Sequence, residues 1–227
     1  SADDIIKNLG AYVRHVHIND GIATDDGVEY CLLGEGEDLI AQAQTGTGKT
    51  AAFGLPLLQL LTPKAGHVQA IILVPTRELA LQVTEELISF NHEKRVSVTA
   101  IYGGASIGEQ LRRLSRGVDI VVGTPGRVLD HIGRGSLDLS AISYMVLDEA
   151  DEMLDMGFQE DIDRVVAQLP VNRQTLFFSA TMSPAIRALI NRLSAEPQEI
   201  SIERPVLTVP TCEQCVYEVV FSSRIEV

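Results

Sequence analysis

Eight consecutive residues carry the plainest chemistry in the chain. Ala43, Gln44, Thr45, Gly46, Thr47, Gly48, Lys49 and Thr50 combine two glycines, a lysine and a hydroxyl at the spacing of a phosphate cradle. Glycines let backbone N–H groups converge on phosphate oxygens, and a helix starting behind them adds a favourable dipole. Lys49 is placed to reach the outer phosphates of a nucleotide, and Thr50 to hold Mg2+ through its hydroxyl. The pattern is that of a Walker A loop, with Ala43 where a glycine often stands. Such a loop needs a strand before it and a helix after it, and "LIAQA" and the stretch 50–61 supply both.

A second cluster is Asp148, Glu149, Ala150 and Asp151, directly after the apolar run "YMVL". An acid at the carboxyl end of a parallel strand lies by the ligand crevice of an open α/β sheet. Asp148 suits the orientation of Mg2+, and Glu149 the activation of an attacking water. Taken alone, the same four residues also suit an acidic helix start favoured by the helix dipole.

The elements that must position these groups follow from the apolar pattern. Strands are expected at 69–74, 96–102, 118–124, 142–148, 174–180 and 198–202, beside the one before the cradle. Helical patterns separate them at 77–90, 107–115, about 126–132, 158–169 and 184–195. Buried strands alternating with helices predict an α/β fold, a parallel sheet with helices on both faces and right-handed crossovers. "ERPVLTVPT" (203–211) reads as a linker, and "EQCVYEVVF" beyond it alternates like a further strand.

At 227 residues, 45% hydrophobic and 22% charged, the chain has the composition of one large globular domain, or of one domain with appendages. Its net charge of −13 argues against a broad basic face for nucleic acid, so any such site must be local. Residues 1–42 hold nine acids against two bases, leaving the remainder only mildly acidic. No apolar run approaches the ~18 residues of a membrane helix, and "SADDIIKNLG" lacks the basic start of a signal peptide. Cys31, Cys212 and Cys215 make no disulfide framework, and a reducing cytoplasm is the expected setting. Cys212 and Cys215 have the C-x-x-C spacing but no second ligand pair for zinc, so they read as ordinary residues.

From about Gly36 to Val227 the sequence resembles the first RecA-like domain of a DEAD-box RNA helicase. The matching segments occur in order: "AQTGTGKT" at 43–50, "PTRELA" at 75–80, "GG" at 103–104, "TPGR" at 124–127, "DEAD" at 148–151 and "SAT" at 179–181. The resemblance implies ATP and Mg2+ as cofactors, with Lys49, Asp148 and Glu149 catalytic and Thr50 and Asp148 at the metal. It implies sequence-independent RNA backbone contacts by Pro75, Thr76 and Arg77, by Gly103 and Gly104, and by Thr124, Pro125, Gly126 and Arg127. It assigns Asp151, Ser179 and Thr181 to coupling hydrolysis with unwinding, through hydrogen bonds to Asp151. "TVPTCEQCVYEVVFSSRIEV" resembles the lead into a second RecA-like domain, which would carry an arginine finger and a second RNA surface. The expected division is an atypical segment at 1–35, the ATP-binding domain at 36–203, and a linker with the start of the second domain at 204–227. Such a chain is expected to bind nucleotide, hydrolyse it very slowly and not unwind RNA. It is expected to be monomeric or to self-associate through the patch left for the second domain.

Two features depart from that family's pattern. Upstream of the cradle there is no aromatic residue followed by Pro-x-x-Gln to read adenine; the glutamine position falls near Asp26, and Tyr12 is off register. Residues 1–35, with "YVRHVHINDG" and "LLGEGE", instead resemble a late strand and loop of xylose-isomerase-like TIM-barrel sugar isomerases. That resemblance implies a metal near His15, His17 and Asp20, although one strand of eight cannot complete a barrel site. An engineered chimera joined near "GEGED" is the expected origin, and a folding product without selected activity, or a sugar-isomerase fragment, the alternatives to a helicase domain.

Overall fold

The computed structural model describes residues 20–24, 27–31, 38–42, 48–91, 95–194 and 197–201. Two short strands, β1 (Asp20–Thr24) and β2 (Gly27–Cys31), pair antiparallel as a separate two-stranded sheet, with Thr24 opposite Gly27. Asp20 opens β1, and His15 and His17, with the strand expected to end at Asp20, lie outside the described residues. Tyr12, Asp26, Cys212, Cys215 and the expected linker and final strand also lie outside them.

The main sheet has seven strands, all paired in parallel. They are β3 (Leu39–Gln42), β4 (Ala70–Leu73), β5 (Val98–Ile101), β6 (Ile120–Gly123), β7 (Tyr144–Leu147), β8 (Gln174–Ser179) and β9 (Gln198–Ser201). Seven helices connect them: α1 (Lys49–Leu60), α2 (Arg77–Phe90), α3 (Ile107–Leu114), α4 (Pro125–Gly133), α5 (Ala150–Asp155), α6 (Gln159–Val166) and α7 (Pro184–Leu193). The strands and helices expected between the cradle strand and the strand at 198–202 are present; α5, a short helix after Asp148 and Glu149, is additional. The α/β class and helices on both faces hold.

The strands are continuous apolar runs because both faces of the sheet are covered. Alternate residues feed two cores. Leu39, Ala41, Ile72, Val146, Leu176 and Phe178 face Phe53 and Leu57 of α1 and Val83 and Leu87 of α2. Ile40, Ile71, Leu73, Met145, Leu147 and Phe177 face Val128 of α4, Met153 of α5, Ile162 and Val165 of α6, and Ile186, Leu189 and Ile190 of α7. The Phe53 and Phe178 rings meet at 5.2 Å between centroids, tilted by 59°. That geometry contributes about 0.5–1.5 kcal/mol beyond the area it buries.

The strand order is β5-β6-β4-β7-β8-β3-β9. The chain leaves β3, passes over β8 and β7 to reach β4, and fills the gap later. Strand ends distant in sequence thereby become neighbours at the carboxyl edge of the sheet, where ligands bind in open α/β folds. At Gly123, the last residue of β6, an added Cβ would lie 2.8 Å from both Ile101 Cγ1 and Val128 Cγ2. Only glycine lets β5 and α4 approach β6 so closely.

Candidate functional site

From the cradle onward, the singled-out segments that the structure describes lie at this carboxyl edge, and the strand order sorts them. The ends of β5, β6 and β4 carry Gly103–Gly104, Thr124–Arg127 and Pro75–Arg77. The ends of β7, β8 and β3 carry Asp148–Asp151, Ser179–Thr181 and the cradle. Ala43, Gln44, Thr45, Gly46 and Thr47 lie outside the described residues. Gly48, in the left-handed region at φ 92°, precedes α1 and accepts the Ala52 N–H at 3.0 Å.

Lys49 opens α1, and its side chain is 8% exposed. Its Nζ is buried, has no hydrogen-bond partner among the described residues, and stands 3.8 Å from Asp148 Oδ1. Asp148 is 3% exposed at the end of β7, and its backbone N–H donates to Leu73 of β4 at 3.0 Å. Burial pushes its carboxyl up, the Glu149 charge adds to the rise, and Lys49 and the Glu149 N–H, 3.0 Å from Oδ1, oppose it. The net result is a pKa of about 6.

Glu149 sits in the left-handed region at φ 54°, ψ 52°, an uncommon conformation for a residue with a side chain. It breaks the strand direction sharply, returns the N–H to Asp148 and starts α5. Glu149, Lys49, Pro75, Thr76, Asp151 and Ala180 border a cavity of about 170 Å³, which links the two halves of the edge. Asp151 on α5 receives the Thr181 N–H at 2.9 Å and the Thr181 hydroxyl at 3.0 Å on Oδ2. Ser179 donates to the Thr181 carbonyl at 2.7 Å. Thr181 thus bonds Asp151 directly, and Ser179 bonds Thr181.

On the other half, Thr76 caps α2 by accepting the Leu79 N–H at 3.2 Å, which leaves its hydroxyl proton to donate outward. Thr124 precedes α4 but makes no side-chain cap bond. Pro75 and Pro125 are buried, so they shape the turns and present little side chain. Arg77, Gly103, Gly104 and Gly126 are exposed. Gly104 holds φ 76°, which glycine adopts without strain, and an added Cβ at Gly103 would meet nothing within 4 Å. That surface is open to an approaching ligand. Arg77 lies over the Tyr102 ring, 5.1 Å from its centroid, and Arg127 Nη1 donates to the Ala105 carbonyl at 3.4 Å.

Among the buried polar residues outside the expected site, two form a pair. Gln110 of α3 and His131 of α4 are 4% and 0% exposed and face each other at 3.1 Å. Their signal was present in the helical pattern. Gln110 shares a stripe with Ile107, Leu111 and Leu114, and His131 shares one with Val128 and Ile132.

Comparison with known proteins agrees with this arrangement. The family model described as DEAD/DEAH box helicase matches residues 27–189. The chain is 53% identical over 180 residues to the ATP-dependent RNA helicase CshA of Listeria monocytogenes, covering 79% of this chain and 35% of that protein. It is 54% identical over 185 residues to the ATP-dependent RNA helicase DeaD of Escherichia coli, covering 81% of this chain and 29% of that protein. The chain therefore spans about a third of the length of these curated relatives. The crystal structure of a DEAD box protein from the hyperthermophile Methanococcus jannaschii superposes with a TM-score of 0.72 at 43% identity, covering 75% of this chain and 47% of that one. The family match starts at Gly27, the first residue of β2, ahead of the Gly36 expected from the sequence motifs. Nothing in these matches supports a sugar-isomerase segment or a chimeric origin. With the ordered strand-end motifs, the buried Lys49–Asp148 pair and the family match over most of its length, the chain belongs to the DEAD/DEAH box helicase family.

Proposed function

We propose that this chain is the nucleotide-binding first RecA-like domain of an ATP-dependent RNA helicase, binding Mg-ATP at the ends of β3, β7 and β8 and RNA backbone at the ends of β5, β6 and β4. The observation that carries the reading is Lys49. Among the described residues its buried ammonium has no hydrogen-bond partner, and Asp148 Oδ1 at 3.8 Å is too far to supply one. A buried cation so poorly compensated is costly unless an anion completes its surroundings. Nucleotide phosphates, brought in over the glycines, would do so.

Asp148 and Thr50 would hold Mg2+, which neutralises charge on the transferred phosphate. One buried carboxylate and one hydroxyl leave most positions around the ion to phosphate and water, as Mg2+ prefers. Among the described residues no group of three or more His, Cys, Asp or Glu forms a dedicated metal cage. Glu149, aimed by its left-handed backbone and bordering the same cavity as Lys49, would accept a proton from the attacking water. Lys49 would stabilise the charge that develops. Asp151, Ser179 and Thr181 would tie the position of α5 to the segment after β8. On the RNA side, Arg77, Arg127, the exposed glycine turn and free hydroxyls suit phosphate and sugar oxygens, which position a strand without reading its bases. A cytoplasmic location goes with this reading. Among the described residues no helix is long and apolar enough to cross a membrane.

An arginine finger is worth ~10³–10⁵ in rate, and the reading places it on a second domain. The test is steady-state ATP and GTP hydrolysis by this chain, with and without single-stranded RNA, together with duplex unwinding. Slow hydrolysis, little discrimination between the bases and no unwinding are expected. Rapid, RNA-stimulated, ATP-selective turnover would contradict the account of both the finger and the missing adenine-reading element.

A further inference from the structure

A buried polar chain runs beneath the glycine turn that follows β5. Gln110 Nε2 donates to the Tyr102 carbonyl at 3.0 Å, and Gln110 Oε1 lies 3.1 Å from His131 Nε2. Because the amide nitrogen is committed to Tyr102, Oε1 is the acceptor and His131 carries a proton on Nε2; this tautomer follows from the hydrogen-bond network. His131 Nδ1 lies 2.9 Å from Ser136 Oγ, which also stands 3.0 Å from the His131 carbonyl. Each side chain in the chain is satisfied, as buried polar groups must be. Yet both Gln110 and His131 occupy positions on apolar helix stripes that leucine would fill. Packing alone does not call for them.

What they hold is specific. The Tyr102 carbonyl belongs to the peptide that leads directly into Gly103 and Gly104. Arg77, from the end of β4, lies over the Tyr102 ring at 5.1 Å. Arg127, one helical turn before His131 on α4, donates to the Ala105 carbonyl on the far side of the same turn at 3.4 Å. Three strand-end segments are thus fastened around one short stretch of backbone. Gln110 fixes it from below, and His131 fixes Gln110.

We propose that the His131–Gln110 pair is a positioning device that holds the Tyr102–Ala105 turn where its backbone N–H groups, together with Arg77 and Arg127, meet RNA phosphates. The ligand in this statement rests on the RNA reading above; the fastening of the turn does not. Neither residue touches RNA. They act through the carbonyl of Tyr102 and through the shared rigidity of α3 and α4.

The test uses the whole chain, a fluorescein-labelled oligouridylate, and a non-hydrolysable ATP analogue with Mg2+. Gln110→Leu and His131→Leu should each weaken oligouridylate binding about tenfold, the effect of losing one or two hydrogen bonds. Affinity for the nucleotide should stay unchanged. His131→Gln, which keeps an N–H near the position of Nε2, should restore most of the RNA affinity. Amide hydrogen exchange at Gly103, Gly104 and Ala105 should accelerate about tenfold in the leucine variants and stay unchanged across Ile71–Leu73. Equal loss of RNA and nucleotide binding without rescue would reduce the pair to a structural role and overturn the proposal. Normal RNA binding by the leucine variants, with Arg127→Ala weakened, would overturn it while leaving the RNA reading intact. If no form of the chain bound RNA, the RNA reading would fail, and unchanged exchange in the turn would then sink the positioning device as well.

Discussion

Thr181 gives two hydrogen bonds to a single carboxylate oxygen of Asp151, one from its backbone N–H at 2.9 Å and one from its hydroxyl at 3.0 Å. The pair joins α5, which follows Asp148 and Glu149, to the segment between β8 and α7. A shift of either segment must be felt by the other. Burial alone would push the Asp151 carboxyl up, but the donors from Thr181 and Ser179 more than offset it and hold it below its ordinary 3.8.

Thr181→Val removes the hydroxyl donor and keeps the shape. The loss should be about 1 kcal/mol at pH 7, or roughly 2–4 °C in Tm for a chain of this size. A carboxyl held low contributes stability that is present above its unfolded value and lost as pH falls through its folded one. The gap between wild type and variant should therefore close as the pH is taken below 3.8. Melting curves over that range check it; a gap that persists in acid would mean that the ionised carboxylate is not what Thr181 stabilises.

Asp148 predicts the opposite slope. Its folded pKa of about 6 lies above the ordinary 3.8, so the folded protein binds this proton more tightly than the unfolded chain does. The stability it contributes is present below 3.8 and is lost as pH rises through about 6. Asp148→Asn should accordingly stabilise the nucleotide-free protein at pH 7 by up to roughly 3 kcal/mol, at 1.36 kcal/mol per pH unit, with no gain near pH 4. The same variant should lose Mg-dependent stabilisation by nucleotide. Urea titrations from pH 4 to 8 decide the matter, and a variant less stable than wild type at pH 7 would refute it.

Glu149 holds backbone strain beside the cavity it shares with Lys49. At φ 54° a side chain costs about 1–2 kcal/mol that glycine does not incur. Glu149→Gly should be more stable than Glu149→Ala by about 1 kcal/mol, although glycine is ordinarily the less stabilising of the two. Both should lose hydrolysis and keep nucleotide binding. The reverse order of stability, from chemical denaturation, would place Glu149 outside the left-handed region.

The strands were legible because burial on both faces leaves unbroken runs such as Ile71, Ile72 and Leu73, and the strand-end motifs followed them. Three things were less accessible. The six residues of α5 are too few to show a period. The left-handed backbone at Glu149 reflects the meeting of β7 and α5, not any preference of glutamate. Gln110 and His131 interrupt apolar stripes visibly, but which buried group each would meet depends on α3 and α4 packing side by side. The chimeric reading of residues 1–35 arose from a short likeness to another family, which the family match from Gly27 does not support.

Lys49 is proposed to bind a nucleotide phosphate. The most direct measurement is equilibrium binding of a fluorescent ATP analogue with Mg2+ to the wild-type chain and to Lys49→Ala, followed by competition with ADP and GDP. Saturable binding by wild type, its loss in Lys49→Ala with the fold retained, and similar competition by the two diphosphates are expected. Undiminished binding by Lys49→Ala, or none by the wild type, would contradict this role for Lys49.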